Sequence, residues 1–167
     1  MAHSATEHRN RAPEWLIVGG SATFVLCLAV SAVFVPDIRW LHVFQASIYA
    51  AAAWLSLRGS RWGHFIGISA GGLWNYLFLF ASPLFAELLK HPTQPDLVLQ
   101  GVAALGNFAI IIGAVWAWSR RENRSRADAG ALVVTFIVTT GYLAAAIAIF
   151  SPGRLFIFRA LLHPHWP

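Results

Sequence analysis

Charged residues fall at a few places along this chain and leave long gaps between them. Asp, Glu, Lys and Arg are absent from Trp15–Pro36 (22 residues), Trp40–Leu57 (18), Trp62–Ala86 (25), Leu97–Ser119 (23) and Ala129–Gly153 (25). A helix needs about 20 apolar residues to cross the hydrocarbon core of a bilayer. Five gaps of that size, separated by short charged joints, predict an all-α polytopic membrane protein with five transmembrane helices. Their expected bounds are about 14–35, 39–57, 62–82, 96–118 and 128–150, within one integral membrane domain over 1–167. The punctuation fits. Pro13 and Glu14 suit a first helical turn, Trp15 an interfacial anchor, and Pro36 a helix end. Pro83 ends or bends the third helix, and the joint PLFAELLKHPTQP (83–95) has room for one short interfacial turn. The first segment is too long for a removable signal peptide and no small-x-small cleavage site precedes a soluble domain. The tail SPGRLFIFRALLHPHWP (151–167) is too short to span after Arg154, and its mixture of Leu, Phe and Ile with Arg suggests an interfacial segment.

Composition sharpens this picture. The chain has 167 residues, 57% hydrophobic and 11% charged, against about 25% charged in a soluble domain. A soluble enzyme domain, a disordered chain and a disulfide scaffold are excluded. The single cysteine, Cys27, cannot form an intrachain disulfide, and it reads as a small apolar packing residue. A net charge of +5 encodes orientation and headgroup contact in a membrane protein, so nucleic acid is not an expected partner. With the N-terminus inside, inner segments hold Arg9, Arg11, Arg58, Arg61, Arg120, Arg121, Arg124 and Arg126, and outer segments hold Arg39, Lys90, Arg154 and Arg159. The expectation is a plasma (inner) membrane protein with a cytoplasmic N-terminus and an external C-terminus.

The uncharged polar residues and glycines are the candidates for specific roles. Gly63, Gly67 and Gly71 recur every four residues on one face of the third helix, where glycine lets another helix approach closely. Asn75 and Asn107, placed from their distances to the helix ends, differ in depth by about one turn, and Thr139 and Thr140 reach a similar level. With Trp74 they describe either an interhelical hydrogen-bonded clasp or a midplane polar pocket for a headgroup or sugar. Seven histidines raise the question of a metal or haem. His42 and His64 begin helices at opposite faces, and Pro164 restricts chelation by His163 and His165. No metal site, cofactor or catalytic constellation is expected.

The chain also shows two internal similarities. LIVGGSAT (16–23) aligns with ISAGGLWN (68–75) at an offset of 52, and FQASIYAAAAWL (44–55) with LQGVAALGNFAI (99–110) at an offset of 55. Two-helix units keep their orientation on duplication, so this predicts a two-hairpin parallel repeat with a fifth helix added. The stretches HFIGISAGGLWNYLFLF (64–80) and LQGVAALGNFAIIIGAVWAW (99–118) are similar to the second hairpin of GtrA-like membrane proteins, on Phe65, Gly71, Asn75, Asn107-Phe108 and Trp116. Trp15-Leu16-Ile17-Val18-Gly19-Gly20 stands where the family often has Phe-Leu-x-Val-Gly-Gly. The resemblance covers about residues 15–118. It departs from the family in its fifth helix, in lacking a basic residue between Asn107-Phe108 and Trp116, and in Ala52-Ala53 where Asn-Phe would stand. It implies a non-catalytic part in moving polyprenyl-phosphate-linked sugars across the bilayer, or support of a partner glycosyltransferase. The rival expectations are an accessory subunit of a larger membrane complex, respiratory or photosynthetic, and a solute-binding membrane subunit of a transporter. The expected partners are lipid, other membrane proteins or further copies of the chain, and polyprenyl-phosphate lipid.

Overall fold

The structure is a computed structural model that describes residues 10–121 and 125–154. Among these residues six α-helices follow one another: α1 (Ala12–Phe34), α2 (Arg39–Leu57), α3 (Arg61–Tyr76), α4 (Leu84–Lys90), α5 (Pro95–Ser119) and α6 (Arg126–Phe150). No strand occurs among the described residues. The long helices α1, α2, α5 and α6 begin and end within two residues of the expected bounds, and α3 begins within one, because the same local chemistry sets both. Asn10 Oδ1 accepts a hydrogen bond from the Ala12 N–H as α1 begins (3.0 Å), and proline opens both α1 and α5. Gly59 ends α2 in the left-handed region (φ 70°), with its N–H on the Ser56 carbonyl and the Ser60 N–H on the Leu55 carbonyl. That reciprocal pattern satisfies carbonyls which the helix end would otherwise orphan. Ser125 and Asp128 form a capping box at the start of α6.

α3 departs from the expected α-helix to Ser82. It passes at Leu77 into a π-helical turn, Leu77–Ala81, and the chain then bends by 62° into α4. In α4 Lys90 donates to Glu87 at 2.9 Å, and this bond holds the exposed Glu87 carboxyl below its ordinary range.

α1, α2, α3 and α5 pack in a ring, each against the next, and α6 lies outside it on α3 and α2. Glycines set the closest approaches. A Cβ on Gly20 would run into the Gly106 carbonyl, and one on Gly113 would stand 2.6 Å from the Pro13 carbonyl, so α1 and α5 meet backbone to backbone. The expected glycine line on α3 serves two neighbours. Gly63 faces Ser56 of α2, whereas Gly67 and Gly71 face Ile110 and Asn107 of α5.

The joints collect at two ends. One, the arginine end, brings together the starts of α1, α3 and α6 with the ends of α2 and α5. The other, the loop end, holds α4 and the remaining helix termini. Three helices, α1, α5 and α6, are long and apolar enough to cross a membrane, and the bent α3–α4 pair would make a fourth. The expected count of five is therefore not reached. α2 falls short because it carries His42, Gln45, Ser47, Tyr49 and Ser56 in only 19 residues. Most of those polar groups point inward: His42, Gln45, Tyr49 and Ser56 are buried, while Trp40, Val43, Phe44, Trp54 and Leu57 are exposed. The same inversion runs through α1, α5 and α6, whose exposed residues include Val33, Phe34, Leu105, Ile112, Ile137 and Ile149. An apolar exterior around buried polar groups suits a lipid solvent. Of the expected interfacial tail, Pro152–Arg154 forms a 3-10 turn, and residues 155–167 lie outside the described part.

Candidate functional site

A cavity of about 260 Å³ opens at the loop end between α1, α2 and α5. Its walls include Phe24 and Cys27 of α1, His42 and Gln45 of α2, Trp74 of α3, and Asp96, Gln100 and Ala103 of α5. The placement follows from helical spacing. His42, Gln45 and Tyr49 share the inward face of α2, three and four residues apart, so that face descends as a polar strip from the loop end toward the middle of the bundle. At the floor of the cavity the strip meets aromatic rings. Phe24 stacks on Tyr49 with ring centroids 4.1 Å apart, and Trp74 tilts against Phe24 at 6.1 Å. Below these rings, the Tyr49 hydroxyl approaches the Asn107 side chain without closing a hydrogen bond of good geometry.

The polar atoms around this cavity are incompletely satisfied. Gln45 Oε1 and the Trp74 indole N–H are buried and have no hydrogen-bond partner, and both residues line the cavity. Tyr49 Oη and Asn107 Oδ1, one level deeper, are likewise without one. In an apolar surround each such group costs about 1–3 kcal/mol if it stays dry, so an occupant whose donors and acceptors reach Gln45 Oε1 or the Trp74 N–H by a small side-chain adjustment would recover part of that cost. Among the described residues its lining offers amides, an imidazole, a carboxylate and ring faces, and no Lys or Arg. That chemistry suits hydroxyl groups on a compact neutral head more than a bare phosphate.

The sequence-predicted residues do not gather into one midplane pocket. Trp74 lines the loop-end cavity. Asn75 and Asn107 are buried at 4% and 1% exposure between α3 and α5. A Cβ on Gly71 would lie 3.2 Å from the Asn107 carbonyl, and Asn75 is one turn beyond Gly71, so the two amides lie within about one turn of each other. They form no clasp, since neither amide atom of Asn75 has a hydrogen-bond partner. Thr139 is buried in a different, open groove of about 490 Å³ between α2, α3 and α6, with Ser47, Trp62, Thr135 and Tyr142. α6 packs on α2 and α3 rather than on α5, which separates Thr139 and Thr140 from Asn107.

His42, Gln45, Asp96 and Gln100 were missed as site residues by reasoning from sequence. Gln45 and Gln100 were legible as matching positions of the two similar helices, but their common use in one wall depends on how the helices pack. His42 and Asp96 read as interfacial and solvated because they stand beside joints; His42 is 8% exposed and Asp96 sits at the cavity mouth. No protein-family model, curated protein or solved structure matches the chain.

Proposed function

We propose that the chain is a non-catalytic protein of the plasma (inner) membrane that receives the sugar head of a polyprenyl-phosphate-linked lipid in the loop-end cavity and so assists its translocation. The observation that carries this reading is the pairing of aromatic walls, Phe24 and Trp74, with the buried, unpartnered Gln45 carbonyl. Ring faces pack against the C–H faces of a sugar, while amides and carboxylates take its hydroxyls. All five long helices cross the bilayer in this account. α2 crosses with its polar face inward, and its 19 residues reach about 28 Å, close to the hydrocarbon thickness. The arginine-rich joints put that end in the cytoplasm and the cavity on the outer face.

The resemblance to GtrA-like proteins supports the same substrate class, and the ring order α1–α2–α3–α5 is the cyclic order a parallel two-hairpin repeat requires. The glycine contacts depart from that symmetry. Gly20 meets Gly106, but Gly72, its counterpart at an offset of 52, faces open space.

Purification in mild detergent followed by lipid mass spectrometry tests the proposal. The expected result is co-purified polyprenyl-phosphate sugar that Gln45→Ala and Asp96→Ala release without loss of fold. Parent protein that carries only bulk phospholipid would contradict it. A second reading, an accessory subunit of a membrane complex or transporter, draws on the open groove between α2, α3 and α6, which a partner helix could fill. Stoichiometric co-purifying proteins in place of the lipid would favour it.

A further inference from the structure

The arginine end has a charge pattern that the cavity does not use. Among the described residues, the joints at this end and the first turns of α1, α3 and α6 hold Arg11, Arg58, Arg61, Arg120, Arg121 and Arg126 against Glu14 and Asp128. The described residues at the loop end include Arg39, Lys90 and Arg154 against Asp37, Glu87 and Asp96. Two of the acids at the arginine end are taken inside the protein. Asp128 is 4% exposed and accepts from Arg61 at 2.9 Å, and Glu14 is 5% exposed. The Arg121 guanidinium donates to the Gly59 carbonyl and ties two joints together.

Arg58 and Arg120 are held in another way. Each stands four residues after a tryptophan on its own helix, and its guanidinium lies over that ring, 4.0 Å from the Trp54 centroid and 4.4 Å from the Trp116 centroid. Neither makes an ion pair with another described residue. A guanidinium stacked on an indole has already lost much of its rotamer freedom, which lowers the cost of binding an anion. Arg120 Nη1 also donates a long hydrogen bond to the Asn10 carbonyl (3.5 Å), which leaves its other N–H groups for an anion. Tryptophan itself settles at headgroup depth. Beside Arg120 a cleft of about 360 Å³, lined by Asn10, Glu14, Arg120 and Arg121, opens between the start of α1 and the end of α5. It holds two guanidinium groups against one acid, the buried Glu14.

We propose that the arginine end binds the phosphate groups of anionic phospholipids, with Arg58–Trp54 and Arg120–Trp116 as its two anchoring pairs. The inference needs the chain to sit in a bilayer and is independent of what fills the loop-end cavity. It is tested by reconstituting the full chain in phosphatidylcholine vesicles doped with brominated phosphatidylglycerol or brominated phosphatidylcholine and reading tryptophan quenching. The expected result is a preference for phosphatidylglycerol on the order of tenfold, which falls by about fivefold or more in the Arg58→Gln/Arg120→Gln double variant. Equal quenching of the parent protein by the two lipids would overturn the proposal whether or not the variant folds. A preference unchanged in a folded double variant would overturn it too. Full displacement by inorganic phosphate would assign the pairs to a soluble anion instead, and would equally contradict the lipid site.

Discussion

At the scale of single residues, the contrast between glycines carries the packing argument. Gly20 has the Gly106 backbone where its Cβ would go, while Gly72 has nothing within 4 Å. Gly20→Ala is expected to lower stability in detergent by about 1–3 kcal/mol, because backbone cannot move aside as a flexible side chain would. Gly72→Ala is expected to leave the thermal midpoint unchanged. Equal effects of the two substitutions would show that α1 and α5 do not touch there. The sign for Asn75 is also defined. Its amide is buried and unpartnered, so Asn75→Leu, close in shape, should be neutral or stabilising. A loss beyond about 1 kcal/mol would mean that the amide has a partner of ordinary interhelical strength. Some of this was legible from spacing alone: Gly63, Gly67 and Gly71 repeat every four residues and all three are buried. The Gly20–Gly106 and Gly113–Pro13 approaches were not legible. α1 is apolar nearly all round, so nothing in its sequence says whether Gly19 or Gly20 faces a neighbour.

At the scale of elements, helix ends were readable and helix partners were not. Prolines, acidic first turns and charged joints are local signals, which is why the long helices lie where the charge gaps put them. The π-helical turn at Leu77–Ala81 has no such signal beyond Pro83, and the 62° bend that follows depends on where α4 packs. α6 joins the ring from outside, and its start is fixed by one carboxylate with two duties. Asp128 Oδ2 accepts from the Ser125 N–H at 3.1 Å while Oδ1 holds Arg61. Asp128→Ala is expected to cost about 1–2 kcal/mol through loss of the cap, and Asp128→Asn should recover part of it. Thermal unfolding in one detergent measures both, and an unchanged midpoint in Asp128→Ala would contradict the role of the cap.

At the scale of the whole molecule, the membrane character was plain in the sequence because it is a property of composition and gap length. The cavity was not plain, because its polar wall comes from α2, α3 and α5 together and depth estimates along separate helices cannot say which faces meet. Asn75, Asn107, Thr139 and Thr140 share a depth along their helices yet lie around different faces of α3. Everything proposed for the cavity depends on α2 crossing the bilayer with His42, Gln45 and Tyr49 turned inward. The most direct measurement is cysteine labelling from each side of sealed vesicles, in a Cys27→Ala background, at Asp37→Cys before α2 and Ser60→Cys after it. The account predicts labelling of position 37 only from the outer side and of position 60 only from the cytoplasmic side. Labelling of both positions from one side would show that α2 does not cross, and would remove the basis for an outward-facing cavity.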